Sequence, residues 1–347
     1  MKKNKILPIA KPIIRGYSYY AHILSMIQNE SDSFDWIFSN FIQLHYNTII
    51  NNIYWSDFYY TSPHLSMYDI CKWLFVRRES KEKILKSRRK LINFIRESLD
   101  KNYYIRIDID HKYIKSFSTN KHPHDALIYG IDGKYVYILD ILRNGMYENK
   151  KIKYSEFCES AIKCKVITEN FMNDCYETYE VIKNNDFIFS IENINNQLLD
   201  YYYSSTPEYW KFISAKNQSL KVFGITTYKM LIKILNHIKN NENVKIDIRP
   251  FYIFKDHKTM MYSRFEYFNK KQYLNYPRIK ELIDNYKFLE RMCDTNILLL
   301  LKYSKKRNIE IIDLIEMNLN KMFDIEKRTL NNYLFFYDLI TEEYDKN

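Results

Sequence analysis

The apolar positions of this 347-residue chain change period along its length, and the change separates a mixed first half from a helical second half. Spacing of three and four residues predicts helices over 17–29, 34–50 and 66–78, then a longer one over about 80–100. A strand follows at 103–110, a loop at 116–123 and a β-hairpin at 124–140, where two apolar runs flank Asp132-Gly133. Asn144-Gly145 marks a turn, and a further helix begins near a Ser155 cap. From about 190 onward strands become scarce, and 196–203, 226–239, 252–268, 279–305 and 309–322 carry helical spacing. The expected fold class is therefore α+β, an antiparallel sheet with helices over 1–165 and a helical domain over 196–347, joined by a connecting segment at 166–195.

The hairpin carries the candidate chemistry. Three of the five glycines fall between 130 and 145. A three-residue loop Ile131-Asp132-Gly133, with Gly133 left-handed, sets a register that places His124 directly opposite Asp140. A two-residue Asp132-Gly133 turn would place Asp125 there instead, with like charges facing each other. The first register joins an imidazole to a carboxylate, and a carboxylate-oriented His is two thirds of a nucleophilic triad. The plainer alternative is a His and an Asp that end two strands and face water.

The order His124, Gly130, Asp140, with apolar β-formers between, resembles the His/Asp segment of papain-like cysteine peptidases of the bacteriocin-processing type. It is closer still to the butirosin biosynthesis protein H N-terminal family, in which a strand ending in Asp-x-x-Tyr precedes the His strand, as Asp110-His-Lys-Tyr113 does here. The match covers roughly residues 10 to 160. It implies a papain-like N-terminal domain with a Cys nucleophile at the N-terminus of an early helix. The activity implied is peptide cleavage, or acyl transfer from a carrier-protein thioester, in secondary-metabolite biosynthesis. In that scheme His124 acts as base and then acid, and Asp140 orients it.

The chain departs from the pattern at the nucleophile. The matching helix, Ser18 to Ile27, has no cysteine; Tyr19 aligns with the nucleophile, or Ser18 with a one-residue shift. Ser18 needs an adjacent base to serve, and its other reading is a helix N-cap. Ser18, His22, Ser25 and Asn29 share one helical face, read as a polar surface. No oxyanion-stabilising Gln precedes the helix; upstream candidates are Asn4 and the backbone amides near Gly16. Cys71 precedes His124 and Asp140 in the right chain order, but lies in an apolar run as a structural cysteine does. A catalytically inactive module that binds a peptide or an acyl-carrier partner is thus the alternative to an active acyltransferase.

Composition changes this picture little. Tyr is abundant at 33 residues and Gly rare at 5, which with many Lys, Asn and Ile is the bias of an AT-rich genome. The net charge of +11 is uneven: 72–101 holds eleven Lys/Arg and four Asp/Glu, a net +7. This basic amphipathic stretch suits an acidic carrier protein or peptide as partner. No nucleic-acid motif accompanies the charge, and no apolar span is long enough for a membrane. Five cysteines without metal spacing or a pairing pattern, and no signal peptide, lead us to expect a reduced, cytoplasmic protein without cofactor or metal. In the second half, His257, Met261 and Arg264 fall on one helical face, and an Asp partner is expected for the Arg.

Overall fold

A computed structural model describes residues 4–48, 54–58, 67–117, 123–142, 146–165, 175–183, 186–205, 221–240 and 246–339. In chain order the elements are β1 (Lys5–Ile6), α1 (Ser18–Ile27), α2 (Ser33–Ser39), β2 (Leu44–Thr48), β3 (Tyr54–Phe58), α3 (Met67–Ile70), β4 (Leu74–Ser80), α4 (Lys81–Leu85) and α5 (Arg88–Asp100). There follow β5 (Tyr104–Asp110), a 3-10 turn (His111–Tyr113), β6 (Pro123–Ile131), β7 (Tyr135–Ile141), β8 (Tyr147–Lys153), α6 (Tyr154–Ile162) and β9 (Cys175–Val181). The rest is α7 (Ile191–Tyr203), β10 (Lys221–Phe223), α8 (Thr227–Asn240), α9 (Arg249–Lys271), α10 (Ile279–Lys306) and α11 (Ile309–Phe336). The Asn144-Gly145 turn and most of the 116–123 loop lie outside the described residues.

The chain forms two compact units, Met1–Phe34 with His64–Phe187, and Asp35–Pro63 with Ile188–Asn347. Residues 35–63 therefore group with the helical part. Cys175–Val181, inside the expected connecting segment, is an inner strand of the sheet. No described helix is long and apolar enough to cross a membrane, and none of the five cysteines forms a disulfide.

The first unit is built on an antiparallel sheet in the order β4-β9-β5-β6-β7-β8, with β1 pairing to β6 beyond the N-terminal end of β5. Two expected helices are corrected here. The 66–78 run is helical only over α3, and its second half is β4, held against β9 by Arg77–Glu180 at 2.9 Å and Arg78–Glu177 at 3.1 Å. These are cross-strand ion pairs between residues about a hundred positions apart, so local periodicity does not reveal them. The 80–100 helix breaks at Lys86-Ser87, where the Ser87 hydroxyl caps α5 by accepting from Lys90 N at 3.2 Å. Helix α6 starts at Tyr154 with Lys153 before it, so Ser155 is not its cap.

The second unit packs α7 to α11 with a three-stranded sheet, β10-β2-β3. The expected 34–50 helix ends at Ser39, Phe41 takes a left-handed φ of 58°, and the chain continues as β2. Gly224, at φ 61°, lies where a Cβ would come within 2.3 Å of the Tyr201 carbonyl, so only glycine fits there. The expected helices of this half all form, because each has a buried apolar stripe continuous over several turns.

Candidate functional site

The C-terminal end of β5, the N-terminal end of β6 and the C-terminal end of β7 lie side by side in the antiparallel sheet. Each contributes one group. Asp140, fully buried near the end of β7, accepts from His124 Nδ1 at 2.6 Å through Oδ1 and from His111 Nε2 at 2.7 Å through Oδ2. The Ile141 amide donates to Oδ1 as well, at 2.6 Å. His111 opens the 3-10 turn, which the Asp110 side chain caps by accepting from Lys112 N at 3.1 Å, and the Phe117 ring stands edge-on to its imidazole.

His124 and Asp140 thus meet, but not by the expected register. Gly133 is not left-handed; Asp132 makes the turn instead, its Oδ1 accepting from the amides of Lys134 and Tyr135 at 2.6 and 2.7 Å. Ile131 pairs with Val136, a bulge at Tyr129 shifts the ladder, and Leu127 then pairs with Leu139. One step further sets Ala126, not His124, against Asp140. The small alanine leaves room for His124, the diagonal neighbour, to reach the carboxylate.

A second cluster touches the first. Asp125, the next residue of β6, accepts from Ser18 Oγ at 2.7 Å; its Oδ2 lies 3.5 Å from His22 Nε2 and 4.0 Å from Arg106 Nη1. His22 Nδ1 is 2.7 Å from the Tyr147 hydroxyl. With His124 Nδ1 3.5 Å from Asp125 Oδ1, the groups form an alternating series: Tyr147, His22, Asp125, His124, Asp140, His111. The expected polar surface on α1 is corrected accordingly: Ser18, His22 and Ser25 are buried, and only Asn29, past the helix end, is exposed. Ser18 does not cap α1 either; the cap position is Tyr17, and the Ser18 hydroxyl reaches across to β6.

Burial alone would lower the His124 pKa, but the hydrogen bond and charge of Asp140, with the charge of Asp125, override it and push it up to about 9. His124 is therefore an imidazolium at neutral pH and has a proton to give rather than a lone pair to accept one. Burial pushes the Asp125 carboxyl up, yet His22, His124 and Arg106 outweigh it and hold this group far below the usual carboxylate range. Cys71 sits in the turn between α3 and β4, its buried thiol pushed up to about 12, so it supplies no thiolate at neutral pH. Tyr19 is half-buried with its ring stacked on Tyr17.

Neither any family model nor any curated protein matches the chain. The site's meaning rests on its geometry.

One consequence is a specific pH dependence. The folded pKa of His124 lies above its unfolded value of about 6.5, so the stabilisation from this His124–Asp140 clamp is complete below that pH and disappears as pH rises through 9. It amounts to roughly 2 kcal/mol after allowance for the ring's partial exposure. Urea unfolding at a series of pH values should show the native chain losing stability over this window, and His124→Gln should lack that slope. Parallel pH curves for the two proteins would show that no such clamp exists.

Proposed function

We propose that the first unit is a diverged papain-like domain that has lost catalysis and binds an acidic peptide or acyl-carrier partner. The papain-like reading is supported by the contact of the α1 N-terminus with β6 beside His124, and by the His124–Asp140 pair. The observation that carries the loss of catalysis is the direction of the Ser18 proton. It goes to Asp125 Oδ1, a carboxylate that holds it by a charge-assisted bond, and not to an imidazole. The imidazole at the expected base position is itself protonated. A hydroxyl without a free base is a poor nucleophile, and no described thiol stands in for it.

A binding role is supported by the basic segment. Arg77, Arg78 and Lys81 are neutralised by Glu180, Glu177 with Asp69, and Asp108. Arg88, Arg89 and Lys90 remain exposed in the first turn of α5, where the helix dipole disfavours cations. No described acidic side chain forms an ion pair with them. A groove lined by Arg88, Arg89, Ile92, Arg96 and Tyr154 runs beside them. Cations placed against a helix dipole are stabilised by an anionic partner.

The test uses an acyl-thioester probe and an acidic acyl-carrier protein. The native chain should take no covalent label, and should bind the carrier with an affinity that falls as salt is added and after Arg88→Glu and Arg89→Glu. Labelling that disappears in both Ser18→Ala and His124→Ala would overturn this reading and establish an active acyltransferase. Absence of both label and binding would overturn the partner.

A further inference from the structure

An orienting carboxylate in a triad needs one imidazole, yet Asp140 holds two, one on each oxygen. The second, His111, comes from a separate element and has no role in the papain-like scheme. His111, His124 and Asp140 each offer one ligand atom, and these atoms all lie within 4.8 Å of one another. We propose that His111 Nε2, His124 Nδ1 and an oxygen of Asp140 form a three-ligand site for zinc or a similar first-row divalent cation, with a fourth position reached from solvent past His124. This goes beyond the binding reading above and does not depend on it.

The donor chemistry fits. Two imidazoles and one carboxylate are a common ligand set for zinc with an open position, and borderline N,O ligands favour the later first-row ions over calcium or magnesium. The ligands also have the support that metal ligands need. His111 is fixed by its capped turn and by Phe117, and Asp140 Oδ1 is held by the Ile141 amide. Asp140 and His111 are buried while the His124 side chain is 30% exposed, so among the described residues the approach to the three ligand atoms is past His124. The N···O separations of 2.6 and 2.7 Å would have to open to about 3.3 Å around a tetrahedral ion with ligand bonds near 2.0–2.1 Å. His124 can make that adjustment, because it lies at the first positions of its strand with one side in water. Without the ion, the same three groups close on each other as the observed clamp, and an entering ion takes the place of the His124 Nδ1 proton, which is released to solvent.

The experiment is titration of the chelator-treated full chain with Zn²⁺ alone, and separately with Co²⁺. One ion should bind per chain, and His111→Ala and His124→Ala should each weaken binding by about tenfold or more. Bound Co²⁺ should give the intense visible absorption of a four-coordinate ion without a thiolate charge-transfer band. Asp140→Asn should weaken binding as the histidine variants do, and His124, the partly exposed ligand, provides a variant that keeps the fold, checked by far-ultraviolet circular dichroism. Three results would each overturn the site: no saturable binding, binding unchanged in both histidine variants, or a thiolate-to-cobalt band that puts the ion at cysteines. None of these bears on the carrier-binding test, so the two readings fail separately.

Discussion

Lys258→Met is expected to destabilise the helical unit by about 3–5 kcal/mol, the usual cost of removing one member of a buried ion pair. Lys258 lies on α9 and Glu326 on α11; both are fully buried, with Nζ 2.5 Å from Oε2. The same oxygen accepts from the Tyr228 hydroxyl at 2.7 Å, and Nζ also donates to the Tyr201 hydroxyl at 3.0 Å. Rings of Phe254, Tyr228 and Tyr201 surround the ammonium at 4.3 to 5.5 Å. Burial together with the Lys258 charge pushes the pKa of neighbouring His257 well down, so its ring is neutral. Nε2 then donates to the Ile42 carbonyl at 2.8 Å, leaving Nδ1 to accept from Lys258 at 3.2 Å. Methionine in place of Lys258 leaves the Glu326 charge without its counter-ion. The double variant Lys258→Met/Glu326→Leu should recover most of the loss, since two charges then leave the interior together. Urea unfolding of the native chain, both single variants and the double variant closes the cycle. A single-variant cost under about 1 kcal/mol would mean the pair behaves as a surface one.

Arg264 should be the second most sensitive position, with Arg264→Leu costing about 3–5 kcal/mol through unpaired carbonyls and lost packing. The sequence suggests an Asp partner for this residue, and the structure corrects that. The fully buried guanidinium donates from Nε to Phe38 O at 2.8 Å, and from Nη2 to Asn40 O and Phe41 O at 2.5 and 3.2 Å. These carbonyls lie at the end of α2, where backbone acceptors have no helical partner and the dipole is negative. Arg264 thereby stops the helix and stabilises the left-handed Phe41 turn that leads into β2. Arg264→Lys should lose nearly as much, because one ammonium lacks the planar fork that reaches all three acceptors. Thermal unfolding of the two variants is the measurement; a lysine variant as stable as the native chain would show that charge alone suffices.

The candidate site was partly legible for reasons that can be traced residue by residue. His124 and Asp140 belong to one hairpin, and a short connection between two β-forming runs limits the registers available. The bulge and the Asp132 turn altered the register, but a same-face diagonal neighbour was still within reach. His111 was missed because its approach depends on β5 pairing with β6, which sets Ile109 beside His124 and so brings the residue two positions on near the site. The Asp110-His-Lys-Tyr113 segment carries a resemblance on its Asp and Tyr, yet nothing local marks its histidine as an Asp140 partner. Ser18 has both a nucleophile and a cap reading in the sequence, and the face it shares with His22 reads as polar surface, because helical spacing gives a face and not its surroundings.

What the sequence determined by itself is the set of elements with strong local periodicity: α1, α5, the long helices from α7 onward, and the β6–β7 hairpin. Apolar stripes repeated over several turns suffice for those. Tertiary structure alone decided β4, β8 and β9, the end of α2, and which polar groups are buried together. Strand pairs such as β4 with β9 join residues about a hundred positions apart, and a short apolar run has no preferred period until its partner supplies the ladder. The buried polar groups follow the same logic: Lys258 and Arg264 are tolerated inside because the fold delivers Glu326 and the Phe38 and Asn40 carbonyls from distant segments, and the His111 partner of Asp140 comes from beyond the hairpin that holds His124.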